Sequence, residues 1–297
     1  MALKFKSFAQ PDLLKPWFSY FLTWRGWVNN AERREVLLYA LAVILTTTAI
    51  VACFPLLHIT NNWAANALMF VPGLMAAAFR VRQGEGFSSV GWGLGPPIYW
   101  VWAIVLPIVA LLMSLPLSIR LNYAALAQAS SSAGRLAAHP TRILEKVLLY
   151  TAISIPLAFG EEFGWRGYAQ GKLVRGFGLV KGLLLLGIIW GFWHTPIYYF
   201  MGTYPNHPIL GPFAMTPIDN ILAVVPMGWL YIRSRNIWVP TLMHAFADVL
   251  WGFSGLIFPA TQEVRSWAVL QAVQLIVSIV LLIDLKTRAA GDLVAGG

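Results

Sequence analysis

Eight apolar segments of about 20 residues dominate this chain and restrict what it can fold into. A helix of that length crosses the hydrocarbon core of a bilayer, where only helices and closed barrels satisfy every backbone polar group. The composition agrees, because 58% of the residues are hydrophobic and 11% are charged, against about 25% charged in soluble domains. The predicted spans are approximately 37–57, 62–80, 98–118, 143–168, 181–200, 213–232, 236–256 and 264–285.

The sequence therefore predicts an all-α polytopic membrane protein with about eight transmembrane helices. We expect residues 36–288 to form one transmembrane domain, followed by a C-terminal tail at 289–297. Residues 1–35 are basic and aromatic but lack a continuous apolar run, which is typical of an amphipathic segment lying at the membrane surface. The single cysteine, Cys53, excludes a disulfide framework and any multi-cysteine metal site.

The positive charge of the chain predicts its orientation. With the N-terminus in the cytoplasm, most of the 21 Lys and Arg residues fall in cytoplasmic segments, as the positive-inside rule requires. Both termini are then cytoplasmic. The expected location is the plasma membrane, or the inner membrane if the chain is prokaryotic. The net charge of +9 is thereby assigned to contact with the lipid bilayer, and no nucleic-acid partner is expected.

Few ionisable residues remain at membrane depth, where each is costly and is by default a functional candidate. One of them, Asp219, lies early in the sixth span, and we interpret it as a structural or cavity residue. The others stand on the fourth, fifth and seventh spans: Glu161, Glu162, Arg166, His194, His244 and Asp248.

The pair Glu162 and Arg166 has a local explanation, because a Glu four residues before an Arg is the favourable order for a helical ion pair. Glu161 lies on another face of the same helix and is not explained in this way. Glu161, His194 and His244 lie about 16, 20 and 13 Å from the basic residues that mark the cytoplasmic ends of their helices. This similar depth predicts one buried polar site, open toward the cytoplasmic side.

These residue types support hydrolysis of an amide bond. A glutamate and a histidine can hold and deprotonate a water molecule, and a second histidine can donate a hydrogen bond to a developing oxyanion. Glu161, His194 and His244 are also an acceptable ligand set for a catalytic zinc ion with water as the fourth ligand. The His-Glu-x-x-His pattern of many zinc proteases is absent from the sequence, so no cofactor is firmly predicted and zinc stays an alternative.

Three motifs carry a resemblance to a known family. Glu161-Glu162-Phe-Gly-Trp-Arg166 matches Glu-Glu-x-x-x-Arg, Trp190-Gly-Phe-Trp-His194 stands where the family has Phe-x-x-x-His, and His244-Ala-Phe-Ala-Asp248 matches His-x-x-x-Asn/Asp. With these motifs, the sequence resembles the CPBP family of intramembrane endopeptidases, also called the CAAX-protease and bacteriocin-processing family. The motif core would run from about 143 to 256.

The resemblance implies a role for each matching position. Glu161 and His194 would activate the attacking water, while His244 and Asp248 would stabilise the oxyanion. Site support would come from Glu162, Arg166 and Trp190.

Two departures from the family pattern bear on these roles. Trp190 replaces the usual Phe, which changes the packing beside His194. Asp248 stands where many members carry Asn, and an ionised Asp cannot donate a hydrogen bond to an oxyanion. We therefore expect Asp248, four residues after His244, to orient the His244 ring.

The leading hypothesis is an intramembrane endopeptidase, of glutamate or metal-dependent type, that cleaves a membrane-associated protein or peptide. One alternative is a non-catalytic membrane scaffold or immunity protein that keeps the polar site for structure. A proton-coupled transporter is the third, although the sequence shows no sign of the paired inverted repeats typical of that class. Loss of cleavage after Glu161→Gln would separate the first hypothesis from the second.

Overall fold

The computed structural model describes residues 30–121, 139–257 and 264–295, which form α-helices and short helical turns with no strand among them. Most of the predicted amphipathic segment, residues 1–35, lies outside these ranges. The helices are α1 Asn30–Ala52, α2 Asn62–Ala67, α3 Phe70–Arg82, α4 Pro97–Leu121, α5 Pro140–Gly164, α6 Gly171–Phe177, α7 Leu179–Phe200, α8 Thr216–Ser234, α9 Trp238–Ile257 and α10 Val264–Ala295.

Seven helical segments in this part of the chain are long and apolar enough to cross a membrane. They confirm an all-α polytopic protein, and the chain is an integral membrane protein. The seven segments are Ala31–Ala52, Asn62–Arg82, Pro97–Ser118, Pro140–Phe177, Leu179–Phe200, Gly211–Ser234 and Val264–Thr287.

The seventh predicted span, 236–256, differs from the others. It corresponds to α9, which has 20 residues but is not among the seven apolar segments. The polar residues His244 and Asp248 lie on α9 and lower its hydropathy. At the C-terminal end, α10 continues to Ala295, so most of the predicted tail at 289–297 is helical.

The helix α5 lies at the centre of the packing that positions the polar residues. It packs against α3 on one side and α9 on the other. At Gly160, a Cβ atom would lie 2.7 Å from the Met69 carbonyl oxygen, and at Gly164 it would lie 2.6 Å from a backbone carbon of Pro72. This pair of glycines four residues apart lets α5 approach the start of α3 closely, and it flanks the two carboxylates in sequence.

The helix α7 approaches α8 in the same way. A Cβ atom at Gly187 would lie 2.7 Å from the Ile221 Cα, and one at Gly191 would lie 2.5 Å from the Pro217 Cα. Small residues spaced by four therefore occur at both close helix contacts. The α7 pair brackets Trp190, so the contact fixes the position of the turn that leads to His194.

A wide π-helical turn, Trp165–Gln170, separates α5 from α6. The predicted fourth span, 143–168, is thus longer and less regular than expected, because helical structure continues to Phe177. All six residues of the turn are buried. One carbonyl in the turn, that of Gly167, accepts a hydrogen bond from the guanidinium of Arg80 on α3. Turns of this kind often occur at functional sites.

A second polar group of residues lies near the start of α6, and we call it the Lys172 cluster: Arg80, Gln83, Glu85, Tyr168 and Lys172. Lys172 is buried and forms an ion pair with Glu85. Its ammonium also donates to Gln83 Oε1 at 3.2 Å and lies 4.8 Å from the centre of the Tyr168 ring. Lys172, the basic residue from which the depth of Glu161 was predicted, is therefore a buried cation paired with its neighbours.

Candidate active site

Glu161 is held by two tryptophan side chains. Its Oε2 atom accepts hydrogen bonds from Trp190 Nε1 at 2.6 Å and from Trp165 Nε1 at 3.3 Å. Trp165 stands four residues after Glu161 on the same helical segment, whereas Trp190 reaches it from α7. All three side chains are buried, and both donors are neutral. Glu161 therefore keeps its second oxygen, Oε1, for another partner.

That partner is His194. Glu161 Oε1 lies 4.0 Å from His194 Nε2. The other ring nitrogen, Nδ1, lies 3.0 Å from the carbonyl oxygen of Trp190. A carbonyl oxygen only accepts hydrogen bonds, so Nδ1 carries a proton, and in its neutral form the ring presents the Nε2 lone pair to Glu161. The ring is packed between Trp193 and Tyr198, with centroid distances of 4.5 and 5.4 Å.

Glu162 has a different set of partners. Its Oε1 atom accepts from Arg166 at 2.7 Å and lies 2.8 Å from His244 Nδ1. The Arg166 contact is the i,i+4 ion pair that the spacing predicts. Both members are fully buried, so the ion pair makes their burial tolerable. The contact with His244, on α9, also ties α9 to α5.

Arg166 also touches Trp190. Its guanidinium carbon lies 4.4 Å from the centre of the Trp190 ring, within the range of a cation–π interaction. A second guanidinium nitrogen lies 3.1 Å from the sulfur of Met227 on α8. Trp190 thus stands between the pair formed by Glu161 and His194 and the pair formed by Glu162 and Arg166.

The predicted contact between Asp248 and His244 is present, but it is longer than a second contact that His244 makes with Glu162. His244 Nδ1 is fixed by Glu162 at 2.8 Å, while the distance from His244 Nε2 to Asp248 Oδ2 is 3.6 Å, longer than a hydrogen bond. The Asp248 side chain is 49% exposed on the surface of the bundle. The buried carboxylate, Glu162, therefore makes the orienting contact, and Asp248 lies at the outer edge of the site.

The proposed zinc ligand set is not assembled. Glu161 and His194 face each other, but His244 is turned to Glu162. Across the described ranges, no group of three His, Cys, Asp or Glu residues is placed to hold a metal ion. His244 directs Nδ1 to Glu162, a carboxylate that is itself bound to Arg166. These three side chains do not fit a metal ion in this arrangement.

Asp219 makes a contact outside the site, as an acceptor from Trp267 Nε1 at 2.7 Å, which joins α8 to α10. Sequence reasoning missed Trp165, Met227 and the hydrogen-bonding role of Trp190. The spacing of Trp165 and Glu161 is a signal of shared helical position. The contact of Met227 carries no such local signal, because Arg166 is 61 residues away in sequence.

Comparison with known proteins locates the same region. Residues 143–250 match the family described as "Type II CAAX prenyl endopeptidase Rce1-like". A "CAAX prenyl protease 2" from Methanococcus maripaludis is 32% identical over 80 residues. Both likenesses support the CPBP family for this region of the chain. The alignment covers 26% of this chain and 29% of the length of that relative, so the likeness to the relative concerns less than a third of either protein.

The three motifs that resemble those of the CPBP family meet in space, although they are far apart in sequence. Glu161 and Trp190 are separated by 29 residues and Glu162 and His244 by 82. The matched region, 143–250, runs from α5 into α9 and holds every one of the residues in contact at the site. Of the helices that precede it, α3 packs against α5 and α1 packs against α7.

Proposed function

We propose that this protein is an intramembrane endopeptidase that hydrolyses a peptide bond in a membrane-associated protein or peptide. The observation that carries the proposal is the facing pair of Glu161 Oε1 and His194 Nε2, 4.0 Å apart. The remaining polar atoms of both groups are already engaged by Trp190 and Trp165. Two hydrogen-bond acceptors thus face each other in a buried place, an arrangement that suits a shared donor.

A water molecule is the donor that fits. A separation of 4.0 Å is too long for a direct hydrogen bond, and a water can bridge two such groups with normal geometry. The water donates one hydrogen to Glu161 and one to His194, which leaves an oxygen lone pair for attack on a carbonyl carbon. Glu161 takes the proton as the C–O bond forms and delivers it to the leaving amine.

His244 is the proposed donor to the oxyanion. Its Nδ1–H is committed to Glu162 at 2.8 Å, so only Nε2 is available to a substrate. For Nε2 to donate, it must carry a second proton. The carboxylates of Glu162 and Asp248, on either side of the ring, are the charges that stabilise the ring in that form. Asp248 then acts through His244 and makes no bond to the oxyanion.

The proposal also covers the supporting residues, the orientation and the substrate. Glu162 and Arg166 support the site by their buried pair. The substrate approaches from the cytoplasmic side, and both termini are cytoplasmic. The relative carries the name of a CAAX prenyl protease, so a prenylated peptide ending in a CAAX sequence is the first substrate to test.

The direct test uses purified protein in liposomes with prenylated and unprenylated peptides. Cleavage by the wild type, with one ¹⁸O atom from labelled water in the new carboxylate, is expected. His194→Ala should lose at least about 100-fold in rate, the scale for a group that activates water. Full activity of the variant would overturn the assignment. Equal biological function of the wild type and an inactive variant would favour the scaffold or immunity protein.

Metal dependence is a separate measurement on the same sample. The proposal expects full cleavage after treatment with a chelator and dialysis. Loss of activity with the chelator and recovery with zinc would replace the metal-independent mechanism by one in which Glu161, His194 and His244 rearrange to bind the ion.

A further inference from the structure

We propose that Trp190 positions both members of the water-activating pair, Glu161 through its side chain and His194 through its backbone carbonyl. This inference rests on the proposed hydrolysis and assigns to Trp190 a role in it that packing alone does not require. Trp190 is a positioning residue, because it acts on the two reacting side chains and does not touch the substrate.

Because of the side chain of Trp190, the two oxygens of Glu161 have different partners. The indole N–H donates to Oε2 at 2.6 Å, and Trp165 adds a second, longer bond at 3.3 Å to the same atom. With two donors on Oε2, rotation of the carboxylate would break both bonds. Oε1 is therefore held toward His194 Nε2 and is the only Glu161 oxygen presented to a water.

The backbone of Trp190 fixes the histidine. Its carbonyl oxygen accepts from His194 Nδ1 at 3.0 Å, and this carbonyl has a second lone pair for the α7 backbone. The contact selects the tautomer whose Nε2 accepts a hydrogen bond, which is the form a donating water requires. One residue thus sets the orientation of the carboxylate and the protonation of the ring on two different helices.

The Trp190 ring is itself held in place. The guanidinium of Arg166 lies 4.4 Å from its centre, and the His244 ring meets it edge-on with centroids 5.5 Å apart. Trp190 is buried, so water does not compete for its N–H. A cation on the face of an indole strengthens the N–H as a donor by polarising the ring. The Glu162–Arg166 pair therefore supports the Glu161–His194 pair through Trp190.

The matched experiment compares Trp190→Phe with Trp229→Phe. Phe keeps the ring and removes the N–H donor. Trp229 Nε1 also donates to a carboxylate, Asp284 Oδ2 at 2.8 Å, but this bond joins α8 to α10 away from the site. We expect Trp190→Phe to lower kcat roughly 10- to 100-fold with KM unchanged, on the scale of one hydrogen bond to a charged group. Trp229→Phe should leave kcat within about twofold.

A second variant and a spectroscopic signal keep the inference testable if Trp190→Phe fails to fold. Trp165→Phe removes the longer bond and should lower kcat by a smaller factor. Ultraviolet resonance Raman spectra report the hydrogen-bond strength of an indole N–H without any substrate. Compared with the wild-type spectrum, the Glu161→Leu spectrum should show one strongly hydrogen-bonded indole signal moved to a weakly bonded position. Asp284→Leu should move a different indole signal.

Each outcome decides a separate point. If the wild type cleaves a substrate and Trp190→Phe keeps the wild-type kcat, the positioning role is wrong while the proposed hydrolysis stands. If the wild type cleaves no substrate, the proposed hydrolysis fails. In that case an unchanged indole signal in Glu161→Leu also overturns the contact between Trp190 and Glu161 on which the inference depends.

Discussion

Two buried polar regions lie close together along α5 and α6, and they use their charges differently. In the Lys172 cluster, the ammonium is matched by Glu85, by Gln83 and by the Tyr168 ring. In the candidate site, Glu161 is bonded only by neutral indoles and faces a neutral-ring nitrogen of His194. A buried charge that is paired and hydrogen-bonded by its neighbours is explained by a structural role. Glu161 retains an oxygen directed at another acceptor, and the proposed hydrolysis rests on this arrangement.

Glu162 is paired with a cation, as Lys172 is with an anion, although it stands next to Glu161 and its Oε2 atom is buried without a hydrogen-bond partner. Its bond to Arg166 is a buried ion pair with a second contact from His244. Under the proposed function, adjacent positions on one helix hold a carboxylate that supports the site and one that reacts. The difference is set by partners on other helices, Trp190 and His194 on α7 and His244 on α9.

The largest expected effect is on stability, and it comes from Arg166→Ala. The change leaves Glu162 fully buried without its cation, which costs about 3–5 kcal/mol for a buried pair. Denaturant titration of the purified protein measures this loss. The control is Arg175→Ala, whose partner Glu32 is about one-third exposed and whose pair should contribute only about 0–1 kcal/mol. Equal losses in the two variants would contradict the structural role of the Glu162 pair.

Gly164→Val should disturb both regions. The added side chain meets the Pro72 backbone at 2.6 Å, so α5 must move away from α3, at a cost of about 1–3 kcal/mol for overpacking. Because α5 carries Glu161, the rate of cleavage by the folded fraction should fall as well. Gly252→Ala is the matched control, since a Cβ there has no neighbour within 4 Å. A Gly164→Val protein with normal stability would show that the close approach is not required.

Lys172→Met should lower stability without changing the rate of cleavage, and so distinguish the Lys172 cluster from the candidate site. It removes one of the two cations of the Lys172 cluster. The expected loss is about 1–2 kcal/mol, because Glu85 is 36% exposed and keeps Arg80 at 3.8 Å. Cleavage by the folded fraction should be unchanged. A loss of kcat as large as that of Trp190→Phe, with the fold intact, would mean that the cluster is part of the reactive site.

The sequence predicts the helices and the meeting of the motifs because both depend on strong local signals. Apolar runs of about 20 residues define spans, and the i,i+4 spacing of Glu162 and Arg166 defines their pair. The roles of the neighbouring residues depend on helix rotation, which local patterns do not set. Nothing local indicates that Trp190 turns its N–H toward Glu161 or that His244 selects Glu162 over Asp248.

The Lys172 environment shows a second limit. Read along the chain, Lys172 is a basic residue at the end of a span, which is typical of an exposed cytoplasmic position. In the structure it is buried against Glu85 and Gln83 from the end of α3. The π-helical turn at Trp165–Gln170 changes the register of the helix just before it, and no residue type in that stretch predicts such a turn.

The most direct test of the central claim compares Glu161→Gln with Glu162→Gln, two changes of the same kind at adjacent positions. Rate of cleavage and denaturation midpoint are measured on the same liposome preparations. We predict that Glu161→Gln loses at least about 100-fold in rate with an unchanged midpoint, while Glu162→Gln lowers the midpoint because Arg166 loses its anion. Cleavage at the wild-type rate by folded Glu161→Gln protein would contradict the account.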